Sequence, residues 1–201
     1  MINNLFTDVC QLESRLGLPV GFYEKLLKED DWSFVIKLNA LFEAACTHIL
    51  VVRLNAFELE ESIANLDLAQ SKSGKISFLR SLGALTSEQA GILRYIAELR
   101  NKLVHNVTNV TFSFSEYVAA LDKNQLMKLT ENFGHGVVET VRLDGKVILR
   151  EKFVVKNPKL SLWYTAAEIL ACLYLEVDLA GLIRQQKVLD EIVKLTPRSN
   201  G

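Results

Sequence analysis

Arg100, Asn101 and His105 stand together in one short stretch, Leu99-Arg100-Asn101-Lys102-Leu103-Val104-His105. Arginine is a permanent cation with a planar fork of N–H donors, asparagine donates and accepts, and histidine gains or loses a proton near neutral pH. That set suits a phosphodiester, with one group to neutralise charge, one to orient and one to move a proton. It also suits a plain helix C-terminus, where Arg100 and Lys102 complement the helix dipole, His105 caps and Asn101 bonds locally.

The stretch closes a strongly helical run. Thr86-Ser87-Glu88-Gln89 has the spacing of a capping box and starts it. At 100° per residue, Ile92, Ile96, Leu99 and Leu103 form one stripe that must face a core, with Arg94, Glu98, Asn101 and His105 opposite. Arg100 and His105 then lie about 140° apart around the axis. One straight helix cannot aim both at one small ligand. Either the chain turns near Leu103, or the two residues meet across a symmetric dimer.

The rest of the chain reads as helices. Leu5, Val9, Leu12 and Leu16 recur at helical spacing before Gly17 and Pro19, and a short helix over about 20–28 follows. Asp30 or Asp31 caps a long run from Trp32 to about Arg53, apolar around much of its circumference and so expected to be the central helix. Shorter helices over about 58–66 and 75–82 follow, the second ended by Gly83. Val107 to Phe114, rich in Val, Thr and Phe, reads as extended, and Ser113 with Glu116 starts a helix to about Asn132. Strands over 137–143 and 146–155 flank Asp144-Gly145, a strong hairpin signal, with Glu139 facing Arg150 and Val141 facing Ile148. Asn157-Pro158 opens a last helix to about Leu195, which Gly181 is able to bend, and a fraying tail follows over 196–201. Its many apolar residues suggest core, or a dimer or partner surface. The expected fold is mainly α, a single helical domain over 1–201 with an insertion over 107–156 that carries a β-hairpin near 137–155.

Composition narrows the function classes. With 49% hydrophobic and 23% charged residues and a formal charge of −1, the chain has no global basic field. A nucleic-acid partner would need a local patch or two subunits together. Cys10, Cys46 and Cys172 are far apart and form no CxxC pattern, so neither a disulfide framework nor a metal site is expected. The N-terminus lacks a signal-peptide pattern, and Lys37, Glu43 and His48 interrupt the central run. A cytoplasmic protein with no membrane span is the expectation. His48 reads as a core or interface histidine, His135 as exposed between two glycines, and Glu60-Glu61 as a solvated face.

Arg-Asn-x-x-x-His at a helix end resembles the signature of the HEPN superfamily of small, commonly dimeric helical bundles. Lys75-Ile76, Leu82-Gly83-Ala84-Leu85 and Leu99-Arg100-Asn101 together resemble its mannitol-repressor-like branch. The 32–54 run with Phe42-Glu43 is similar to the acidic-residue helix that packs on the motif helix. The resemblance spans roughly residues 30 to 106 and does not place 107–156.

It implies a HEPN-like bundle and homodimer acting on or binding RNA, as a metal-independent endoribonuclease of a toxin, phage-defence or RNA-processing system, with no cofactor. His105 would be general acid or base, Arg100 would stabilise phosphorane-like charge, and Asn101 would orient His105 or a phosphate oxygen. Glu43 would hold Arg100, and Lys102 would add positive charge. The alternative is a non-catalytic regulatory or protein-interaction module of the mannitol-repressor type.

Overall fold

Asp30 begins the element on which the others pack. Its side chain accepts the Ser33 N–H at 2.8 Å and the Ser33 hydroxyl at 2.6 Å, which starts helix α3, Asp31–Leu54. Asn55 ends it in the left-handed region at φ 51°, a conformation asparagine tolerates better than most side chains. Phe34, Phe42, Cys46, Leu50 and Val51 are all buried, and at 100° per residue they point to several sides of the helix. A helix apolar all round belongs in the middle. Among the described residues α3 alone is long and apolar enough to cross a membrane, and most of that stretch is buried inside the bundle.

The computed structural model describes residues 2–143 and 145–195. Its helices in chain order are α1 Ile2–Arg15, α2 Phe22–Lys25, α3, α4 Glu60–Ala64, α5 Lys75–Ser81, α6 Ser87–Val104, α7 Phe114–Ala119, α8 Lys123–Phe133, α9 Arg150–Lys156 and α10 Pro158–Leu195. Strands β1 Thr140–Leu143 and β2 Lys146–Leu149 form one antiparallel hairpin. The protein is thus a mainly α bundle with a single hairpin. Helix α10 lies along α1 and α3, while α6 packs on α3, α5 and α8.

Three sequence expectations change. Residues 107–111 form a 3-10 turn, not an extended segment, because the Asn106 side chain accepts the Thr108 N–H at 3.0 Å and tightens the chain. The helix expected from Ser113 to Asn132 is two. Ser113 makes no capping bond, its hydroxyl pairing with Ser115 instead, and Asp122 with Gln125 forms a reciprocal capping box that starts α8. The hairpin is shorter than 137–155: from Arg150 the chain is helical, which buries the adjacent residues Phe153 and Val154 together, as a strand facing alternate sides would not.

The hairpin register is as expected, Val141 opposite Ile148, with the Arg150 N–H donating to the Glu139 carbonyl at 3.0 Å. Asp144 of the turn lies outside the described residues, as does the 196–201 tail. Helix α10 runs unbroken past Gly181.

Candidate functional site

Helix α6 begins with the expected capping box, Thr86 with Gln89. Ile92, Ile96, Leu99 and Leu103 are buried, so the stripe seats the helix and turns its other side outward. Asn101, Lys102 and His105 are exposed and Arg100 is half-buried. The helix continues to Val104, and His105 keeps helical dihedrals, φ −75° and ψ −12°, with its N–H donating to the Asn101 carbonyl at 3.3 Å. The turn therefore comes after His105, not before it. Arg100 and His105 stay about 140° apart around the axis within one chain.

The helix end is closed by residues outside the motif. The Asn109 side-chain amide donates to the Lys102 carbonyl at 2.8 Å, and the Trp32 indole N–H reaches the Leu103 carbonyl at 3.5 Å. Asp31 accepts the Phe114 N–H at 2.9 Å and faces the Lys159 ammonium at 3.3 Å. Edge-to-face contacts from Phe34 to Phe114, Phe114 to Phe133 and Phe133 to Tyr95 tie the segment after the motif into the core. The start of α3, the end of α6 and the start of α7 thus meet at one end of the bundle. The motif lies there.

Arg100 Nη1 donates to Asn101 Oδ1 at 3.0 Å, the one hydrogen bond of that guanidinium among the described residues. It leaves most of the arginine fork and the asparagine NH2 free to meet an anion. The His105 ring has no hydrogen bond among the described residues. The arrangement can bind a phosphate through Arg100 and Asn101, and it presents the His105 imidazole on the Asn101 side of the helix, about 140° round from Arg100.

Glu43 lies elsewhere. It is eleven residues beyond Trp32, about 16 Å along α3 from the motif end. There it lines a polar cavity of about 430 Å³ with Arg15, His48, Glu60 and Lys75. The Lys75 ammonium is buried and donates to the Ala64 carbonyl at 2.9 Å. Among the described residues no hydrogen bond or ion pair joins Glu43 to Arg100, so the supporting role expected of Glu43 has no contact behind it. Burial, reinforced by the Arg15 cation, lowers the His48 pKa, and His48 Nε2 is buried without a hydrogen-bond partner. Among the described residues no three His, Cys, Asp or Glu side chains gather at a metal position.

The chain matches no family model, no curated protein and no solved structure.

Sequence reasoning did not find Trp32 and Asn109 as the groups that close α6. The signal for Asn109 was present, since two asparagines three apart favour local side-chain-to-backbone bonds over a strand. Nothing in the sequence marks Trp32. His135, expected to be exposed between two glycines, is half-buried, and its ring nitrogen lies 3.6 Å from a Glu168 carboxylate oxygen, a pairing across 33 residues that no local pattern announces.

Proposed function

We propose that this protein acts on RNA as a HEPN-like, metal-independent endoribonuclease whose site is completed by a second copy of the chain. The observation that carries the reading is the division of labour at the end of α6. Asn109 and Trp32 serve the terminal carbonyls, while the His105 ring serves none and stays exposed. A histidine needed only to cap the helix would be spent on that helix. This one is free to move a proton.

In the proposed mechanism Arg100 and Asn101 of one chain hold the scissile phosphate, the guanidinium offsetting charge that builds in the phosphorane-like state. His105 of the other chain removes the 2′-hydroxyl proton or protonates the leaving 5′-oxygen. The separation of about 140° on one helix favours a site shared between two chains. Lys102 adds a cation at the same surface, which matters because the formal charge of −1 offers no general attraction to RNA.

The test is cleavage of a mixed RNA pool in excess chelator. The wild type is expected to cleave, and His105→Ala and Arg100→Ala to lose cleavage while keeping the wild-type circular dichroism spectrum. The open surface around His105 favours a second reading, a non-catalytic regulatory or protein-interaction module of the mannitol-repressor type. RNA or partner binding without cleavage by the wild type would select it. Unchanged behaviour of both variants in every assay would reject both.

A further inference from the structure

We propose that the cavity beneath the hairpin binds a small apolar amine, gripped at its charged end by Glu168. The cavity measures about 460 Å³, within the range of small-molecule sites. Its walls are Val138 just before the hairpin, Val141 of β1, Phe153 of α9, and Leu160 and Tyr164 of α10. Glu168, one turn beyond Tyr164, is the single charged side chain among the lining residues.

The rim is built, not incidental. The Gly136 N–H donates to the Thr165 hydroxyl at 3.0 Å, and that hydroxyl donates to the Phe133 carbonyl at 2.8 Å. A Cβ at Gly136 would fall 2.9 Å from the Thr165 Cα, so glycine is what lets this turn press against α10. The turn then leads directly into Val137 and Val138, which line the cavity just before β1.

The carboxylate sets the ligand class. Glu168 Oε2 is buried without a hydrogen-bond partner among the described residues. Oε1 lies 3.6 Å from His135 Nε2, beyond a normal hydrogen bond. A buried acceptor left unbonded is costly, so Oε2 retains capacity for a strong donor while the His135 imidazole stands beside Oε1. Glu168 lines the cavity, and the terminal torsion of glutamate is broad and two-fold, so the carboxylate can turn to meet a ligand there. An ammonium brings three donors and the opposite charge, and an alkyl or aryl body fills the apolar walls. An alcohol would satisfy one acceptor without the charge, and a carboxylate ligand would meet like charge. None of these residues belongs to the Arg100 motif, so the inference stands apart from the RNA reading.

Calorimetric titration of the full chain with n-octylamine, 1-octanol and octanoate tests it. Octylamine is expected to bind saturably, about tenfold or more tighter than octanol, with octanoate weakest. Glu168→Gln should bring octylamine to the octanol affinity, and Leu160→Trp, which adds bulk to a lining position, should weaken all three. Equal binding of octylamine and octanol, tighter binding of octanoate, or no saturable binding at all would overturn the proposal. The ranking on the wild type decides the matter even where a variant fails to fold.

Discussion

If Asn109 and Trp32 close α6 while His105 does not, removing the two side chains must affect stability differently. Asn109→Ala deletes the 2.8 Å bond to the Lys102 carbonyl. A net hydrogen bond contributes about 0.5–1.5 kcal/mol, and because Lys102 is exposed and water can replace the amide, the lower half of that range applies. For a chain of this size that is a fall in Tm of roughly 1–3 °C. Asn109→Asp should be worse, since it loses the donor and places a negative charge against the negative end of the helix dipole. His105→Ala removes an exposed ring without hydrogen bonds and should stay within about 0.5 kcal/mol of wild type. Urea unfolding at pH 7, followed by circular dichroism, gives the order: Asp at 109 least stable, Ala at 109 next, Ala at 105 close to wild type. If His105→Ala costs as much as Asn109→Ala, the histidine is a helix cap and not a reacting group.

Three further outcomes follow from the packing. The His48 pKa is lowered by burial and by Arg15, so the unfolded chain binds a proton there more readily. Stability should therefore fall as pH drops below the unfolded value of about 6.5 toward the folded one, and His48→Gln should reduce that loss between pH 7 and 5; an unchanged pH slope would contradict the assignment. Burial pushes the Cys46 thiol up to about 12, so an alkylating reagent at pH 8 should label exposed Cys10 in the native protein and Cys46 only after denaturation, as peptide mass mapping would show. Gly136→Ala should destabilise by about 1–3 kcal/mol through the clash with Thr165, whereas Gly181→Ala, in the α10 interior with open space around it, should stabilise by about 0.5–1 kcal/mol; thermal melts with the opposite order would refute this.

Much of the fold was legible because its signals are local. The Asp30 cap, the Thr86 capping box, the apolar circumference of α3 and the Val141–Ile148 register each follow from a few neighbouring residues. The errors came where local signals competed. Val107 to Thr111 has strand-like side chains, but Asn106 and Asn109 draw the backbone into a turn. Residues 150–156 alternate poorly for a strand, and burial of Phe153 beside Val154 against α8 and α10 makes the helix the better solution. The candidate site was legible as residue types and as an angle. The position of Glu43 was not, because distance along α3 is visible in sequence only once the direction of α6 against it is known.

The central claim is that Arg100 and His105 work together from two different chains, and a mixing experiment tests it most directly. Arg100→Ala and His105→Ala, each inactive alone, are combined in equal amounts, allowed to exchange subunits, and assayed for RNA cleavage in excess chelator. Half of the dimers would be mixed, each with one intact pair and one doubly altered pair, so about a quarter of wild-type activity should return. A mixture as inactive as its components would contradict the shared site.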